Sequence, residues 1–230
     1  MTDIQKTISP VDGSVYAQIN LATGVDINNT LNRARVAQQL WRFVPLAERI
    51  QILSKFVDIF VGQSDEFAAE ITWQMGRPIS QAGGEIRGFE ERARYMISIA
   101  EEALASKFPP PKEGLKRFIR REPLGVVLSI AAWNYPYLIA VNSVVPALLA
   151  GNAVILKHSA QTPLCADRFA QCLTAAGLPD GVFQALHASH ADTEKVIQDS
   201  RIDYVAFTGS VNGGLAVQRA ANNRFIGVGL

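Results

Sequence analysis

The sequence predicts an α/β protein in which a helical N-terminal layer precedes an open parallel sheet covered by helices on both faces. Three observations predict it. Apolar residues recur at helical spacing through roughly the first hundred residues, the triple proline Pro109-Pro110-Pro111 interrupts that pattern, and beyond Gly125 short continuous apolar runs alternate with further helical stretches. Helices on both faces leave such a strand no polar side, which is why it reads as an unbroken apolar run. At 230 residues and 48% hydrophobic, the chain can bury a sizeable core as one large or two modest domains.

The elements follow in order. Leu46, Ile50, Leu53, Val57 and Phe60 form one helical stripe, with Glu48, Arg49, Lys55 and Asp58 mostly off it. A second helix runs from about Ser64 to Gly76, where glycine accepts the left-handed closing conformation and Arg77-Pro78 prevents continuation. Ile86, Phe89, Ala93, Met96, Ala100 and Leu104 trace a third stripe. Residues 1–108 are thus expected to be the helical part, 109–124 a linker carrying an edge strand or hairpin, and 125–230 the parallel α/β part. Leu115 to Arg121 mixes apolar and basic residues as an exposed edge strand does, and Pro123 ends it. Because no basic excess exists elsewhere, the run KRFIRR reads as solvated strand and not as a nucleic-acid patch.

Past the linker, VVLSIA, AVIL, VFQAL and YVAF are the predicted strands. Gly151-Asn152 closes the helix between the first two, Thr162-Pro163 supplies cap and first turn for the next, and Gly177 ends it. Gly213-Gly214 opens a further helix, and Phe225 to Leu230 begins another strand. There is no internal repeat and no low-complexity segment.

Composition excludes several function classes. Lys and Arg number 22 against 21 Asp and Glu, so no global field recruits nucleic acid or an anionic membrane. The start, MTDIQKTISPVDG, has no apolar signal core, and no stretch approaches the roughly 18 to 20 apolar residues of a membrane span. A cytoplasmic protein is expected. Cys165 and Cys172 share a helical face with Phe169 between them, which suits packing in a reducing compartment better than a disulfide, a zinc site or a nucleophile.

Ligands of open parallel sheets bind beyond the carboxyl ends of strands. The first run ends at Ile130-Ala131 and leads into Ala132-Trp133-Asn134-Tyr135-Pro136; the second leads into Lys157-His158-Ser159-Ala160; the last ends at Phe207 and leads into Thr208-Gly209-Ser210. A Gly-Ser turn opening a helix offers backbone N–H groups to a pyrophosphate, and Lys157 offers a cation to a ribose or phosphate. Taken singly, each is as compatible with an ordinary turn or a solvated lysine. Neither G-x-G-x-x-G nor a P-loop is present. His187, His190 and Asp192 lack a fourth ligand, so no metal site is expected.

In combination these segments are far more specific. WNYP at 133–136, GNAVILK at 151–157 with Thr162-Pro163, LPDGV at 178–182 and FTGS at 207–210 resemble, in order and spacing, motifs of the NAD(P)-dependent aldehyde dehydrogenase superfamily. RREPLGV at 120–126 and SPVDGSVYAQI at 9–19 fit as well, so the resemblance covers essentially the whole chain, as the N-terminal half of such a protein with its Rossmann-like sheet.

The resemblance implies roles. Asn134 matches the asparagine whose side-chain amide holds the oxyanion of a thiohemiacetal, and Trp133 lines the cofactor groove beside Ile130 and Ala131. Lys157 matches the lysine on the adenosine ribose, with Ser159 and Ala160 in the same turn. Phe207, Thr208, Gly209 and Ser210 match the turn beneath the pyrophosphate and nicotinamide ribose, and Gly214 a helix glycine permitting close approach. Two departures stand out. Many NAD-preferring relatives carry a glutamate three residues after the lysine, where its carboxylate repels a 2′-phosphate; with Ala160 there, NAD or NADP is expected, NADP tolerated or preferred. Relatives also place a glycine-bearing turn after the third run, where this chain reads His187-Ala188-Ser189-His190.

The resemblance further implies a general-base glutamate in a Glu-Leu-Gly-Gly segment beyond Leu230 and a nucleophilic cysteine in a later catalytic domain. The chain is therefore expected to bind cofactor weakly, to oxidise no aldehyde alone and to self-associate as a homo-oligomer. The alternatives are a cofactor-binding subunit of a split enzyme whose C-terminal half is a separate chain, and a non-catalytic nucleotide-binding or scaffold module.

Overall fold

The structure, a computed structural model, describes residues 3–230. An antiparallel hairpin, β1 (Ile4–Ile8) and β2 (Val15–Asn20), leads into α1 (Gly24–Trp41), α2 (Leu46–Val61), α3 (Ser64–Met75), α4 (Ile79–Ser98) and α5 (Ala100–Leu104). Strand and helix then alternate: β3 (Val126–Ala131), α6 (Pro136–Leu149), β4 (Ala153–His158), α7 (Leu164–Ala176), β5 (Phe183–Ala185), α8 (His190–Gln198), β6 (Tyr204–Phe207), α9 (Val211–Ala221) and β7 (Gly227–Gly229). Strands β3 to β7 form a parallel sheet in the order β5-β4-β3-β6-β7.

Local chemistry sets the boundaries. Thr23 and Asp26 form a reciprocal capping box at the start of α1. Gly76 and Gly177 close α3 and α7 at φ 79° and 96°, a region that costs residues bearing a Cβ.

Alternate residues of the central strands feed two cores. Val127, Val154 and Leu156 face α2, α4, α6 and α7; Leu128, Ile155 and Val205 face α1, α8 and α9. The first core is where the helical layer and the sheet meet. Phe60 lies with its ring centre 4.1 Å from Phe89, 4.7 Å from Phe67, 4.9 Å from Tyr137 and 5.6 Å from Phe169, so α2, α3, α4, α6 and α7 converge on it. Trp41 is buried against the same core and donates its indole N–H to the Leu148 carbonyl at 3.0 Å.

Three local expectations change. Leu115 to Arg121 does not form a continuous strand: it folds back on residues 107–112 as a loose hairpin held by bridges Lys107↔Ile119 and Lys112↔Leu115. Three prolines in one arm remove the donors a ladder needs. The stripe from Ile86 to Leu104 is broken at Ile99 into α4 and α5. Thr162 does not cap α7, because its hydroxyl lies 3.0 Å from His158 Nδ1 and Pro163 occupies the cap position.

Replacing Phe60 with alanine should lower stability by about 3–5 kcal/mol, read as a shift of the urea midpoint. A loss below about 1 kcal/mol would mean that the helical layer and the sheet do not share a core.

Candidate functional site

The parallel ladders place three side chains abreast at the carboxyl edge of the sheet. Ile130 on β3 is in register with Lys157 on β4 and with Phe207 on β6. All three line a groove of about 650 Å³, walled by His190, Thr193 and Glu194 of α8 and by Gly213 and Val217 of α9. Strand order reverses around β3, with β4 on one side and β6 on the other, which is where open α/β sheets leave a crevice.

Lys157 is the charged group of the groove floor. It is 7% exposed and makes no hydrogen bond or ion pair among the described residues; burial lowers its pKa from the ordinary lysine value. A buried ammonium left without a counter-charge is costly unless an anion or a polar ligand meets it.

Opposite it, the turn Thr208-Gly209-Ser210 enters α9. Ser210 is the N-cap, its hydroxyl accepting from the Gly213 amide at 3.1 Å. Amides of a helix's first turn have no partner within the helix and carry the positive end of its dipole. The glycines here make room for one ring: a Cβ at either Gly209 or Gly213 would sit 2.6 Å from Phe207 Cζ. Gly214 is buried beneath them and does not line the groove.

The loop after β3 carries Ala132, Trp133 and Asn134 along the groove. It is anchored from α4 and the turn preceding it. Glu85, its side chain fully buried, accepts from the Tyr137 amide at 2.8 Å at the start of α6 and pairs with Arg77 at 2.6 Å. Burial raises the Glu85 pKa, opposed by the Arg77 charge and the α6 amides. Arg77 in turn donates to the Asn134 carbonyl and stacks on Tyr135, 4.3 Å from the ring centre. The main chain of Asn134 is thus tied down, while its side-chain amide has no partner among the described residues and is exposed.

The turn after β4 is anchored on the other side. Gln5 and Thr7 of β1 donate to the Ala160 carbonyl at 3.2 and 3.1 Å, and Gln74 of α3 accepts from the Leu164 amide at 3.1 Å. His158, 4% exposed, sits between the turn and the β3–α6 loop: its Nε2 lies 3.1 Å from the Pro136 carbonyl, and the Ser159 amide donates to its Nδ1 at 3.0 Å. Burial, the largest cause, holds its pKa down at about 4, with Lys157 and His187 adding repulsion.

The groove therefore brings together Ile130, Ala131, Trp133, Asn134, Lys157, Ser159, Ala160, Phe207, Thr208, Gly209 and Ser210, leaving Gly214 outside. Sequence reading did not find the walls from α8 and α9, or Arg77, Glu85, Gln5 and Thr7. Ile197 and Val217 were readable as apolar helix positions, but nothing local says which helix faces they meet. Both thiols are buried; burial pushes Cys172 up to about 11 and Cys165 well above its ordinary value. His187 pairs with Asp167 at 2.8 Å, Asp192 with Lys195 at 2.8 Å, and His190 faces the groove.

The chain matches the sequence model described as aldehyde dehydrogenase family over residues 2–230. A relative from Synechocystis sp., named "Probable succinate-semialdehyde dehydrogenase (NADP+)", is 34% identical over 215 residues, 94% of this chain and 47% of that protein. An aldehyde dehydrogenase structure from Bartonella henselae superposes with a TM-score of 0.92 at 28% identity, over 99% of this chain and 48% of the other. Succinic semialdehyde dehydrogenase from Streptococcus pyogenes, solved with NADP+, gives 0.91 at 28% identity, over 97% and 49%. The chain spans about half the length of these relatives. Among the described residues no helix is long and apolar enough to cross a membrane.

The buried histidine sets a pH dependence. Its folded pKa of about 4 lies below the ordinary 6.5, so its contribution is fully present above about pH 6.5 and is lost as pH falls towards 4. That loss amounts to roughly 3 kcal/mol. Glu85, with its raised pKa, acts in the opposite sense but is common to any His158 variant. Urea midpoints at pH 7 and pH 4.5 should therefore separate more in the wild type than in His158→Gln; equal separation would show that the ring is not held neutral.

Proposed function

This chain belongs to the aldehyde dehydrogenase family, and from that premise we propose that it forms the cofactor-binding half of an NAD(P)-linked aldehyde dehydrogenase, with NADP tolerated or preferred. The observation that carries the proposal is the buried Lys157 ammonium, without a partner among the described residues, facing a groove that also receives the first turn of α9. A cation, a helix N-terminus and an apolar floor suit an anionic dinucleotide with an aromatic base, and the groove volume is in the range of small-molecule sites.

In this reading Lys157 holds the adenosine ribose or its 2′-phosphate, and Ser210 with the Gly209 turn receives the pyrophosphate. Ala160 presents no carboxylate to repel a 2′-phosphate, a choice supported by the NADP-linked relatives. Bound cofactor would supply the hydride acceptor for oxidation of an aldehyde to a carboxylic acid. The exposed Asn134 amide, which has no partner among the described residues, would donate to an aldehyde oxygen as it takes on negative charge, an interaction typically worth about 3–4 kcal/mol. A thiolate nucleophile and a base for water must come from residues outside this groove, since Cys165 and Cys172 are buried, high-pKa thiols. Exposed Phe108, Phe118, Val211 and Phe225 support self-association, or docking of a second polypeptide that supplies those groups.

Calorimetric titration of the chain should give binding of NADP at least as tight as NAD, and Ala160→Glu should move the preference towards NAD by repelling the 2′-phosphate. Clear preference of the wild type for NAD would overturn the assignment of Ala160.

Assayed alone with aliphatic and aromatic aldehydes, the chain should reduce neither cofactor. Turnover that disappears in Cys165→Ala or Cys172→Ala would make a helix thiol the nucleophile and sink this reading.

A further inference from the structure

Two segments outside the regular ladders carry the polar ends of the groove: the loop Trp133–Pro136 after β3 and the turn Ser159–Thr162 after β4. Each has its own anchors, Arg77 and Glu85 for the loop, and for the turn Gln5, Thr7 and the Gln74 carbonyl, which accepts from Gln161. Among the described residues one side chain is hydrogen-bonded to both. His158 reaches the Pro136 carbonyl through Nε2 at 3.1 Å, and the Ser159 amide and the Thr162 hydroxyl through Nδ1 at 3.0 Å each.

The partners dictate the tautomer. A main-chain amide only donates, so Nδ1 must accept from Ser159; a carbonyl only accepts, so Nε2 must carry the proton that it gives to Pro136. An imidazolium would set an Nδ1 proton against the Ser159 N–H. The ring is therefore neutral, single in tautomer and fixed in orientation at both ends. Register explains why it can do this: His158 pairs with Ala131, so its ring lies on the α6 side of the sheet, while its neighbour Lys157 turns into the groove.

We propose that His158 is a positioning residue that locks the Asn134 loop to the Ser159–Ala160 turn, so that the two ends of a dinucleotide meet a groove already set to the right span. This rests on the cofactor reading of the groove. In consequence, the advantage that a whole dinucleotide enjoys over its adenosine half depends on His158, because only the whole ligand touches both segments.

The test uses the full 230-residue chain and two probes, NADP+ and adenosine 2′,5′-bisphosphate, with dissociation constants from calorimetry. His158→Asn keeps an acceptor near Ser159 but does not reach Pro136; His158→Gln reaches Pro136 but loses the Ser159 acceptor. In both, NADP+ should bind about tenfold more weakly while the bisphosphate changes by less than about twofold, so the ratio of the two constants falls. A purely structural role lowers thermal stability and leaves that ratio alone. An unchanged ratio in both variants, with Lys157→Met weakening both probes, overturns the coupling and keeps the cofactor reading. Failure of the wild type to bind either probe overturns both.

Should the variants not fold, histidine-labelled wild-type protein gives an independent answer by long-range proton–nitrogen correlation. His158, assigned by elimination with His187→Gln and His190→Gln, should show the Nε2-protonated tautomer, and its nitrogen shifts should move with NADP+ but not with the bisphosphate. An Nδ1-protonated ring, or equal response to both probes, overturns the proposal.

Discussion

The site depends on one constraint, the parallel register of β4, β3 and β6. Parallel strands align equivalent residues side by side on one face, so a single choice of register decides that Ile130, Lys157 and Phe207 lie abreast. A slip of one residue in β4 would send Lys157 into the aromatic core and bring His158 to the groove. The apolar faces oppose such a slip, because Leu128 and Ile155 on one side and Val127 and Val154 on the other would exchange cores. The register is thus fixed by burial, and the chemistry at the strand ends inherits it.

Within that frame the molecule treats its buried charges differently. Glu85 is wholly buried and fully engaged, by a guanidinium and by the amides of α6. Arg168 is held by the Glu70 carboxylate beside the same helical core. Among the described residues Lys157 has no such partner. Low-dielectric surroundings penalise an ammonium in that position, and the same surroundings strengthen whatever anion or hydroxyl it meets. Under the proposed function, that contrast makes Lys157 the groove charge available to a ligand.

Much of this was legible in the sequence, and the reason differs by feature. The sheet strands were readable because two-sided burial makes unbroken apolar runs, and α3 and α7 because Gly76 and Gly177 close them. Strand-end residues were readable because the segments at 133–136, 157–160 and 207–210 each follow such a run. The hairpin β1–β2 was not read as strands, since its alternation is short and its faces half-exposed. Nor was the network around Asn134: Arg77 and Glu85 are eight apart in sequence and some fifty from the loop they hold. Hydrogen bonds of that span leave no local periodicity. Nothing local marks His158 between Lys157 and Ser159, and only its register with Ala131 reveals that it faces the other way.

Those long-range anchors change what cofactor preference means here. Position 160 was read from its side chain, an alanine where a carboxylate would exclude a 2′-phosphate. Yet the direction in which that side chain points is set by its backbone, whose carbonyl is gripped by Gln5 and Thr7 from a strand at the opposite end of the chain. In the same turn Gln161 donates to the Gln74 carbonyl at the end of α3, and the Ser159 amide donates to His158. A residue that selects between cofactors on the basis of one phosphate must hold its place to within a fraction of a hydrogen-bond length, since such contacts weaken steeply with distance and angle. If position 160 selects the cofactor as proposed, the helical layer and the hairpin take part in that selection. On that proposal, preference would belong to the clamp around the turn as much as to the residue displayed on it.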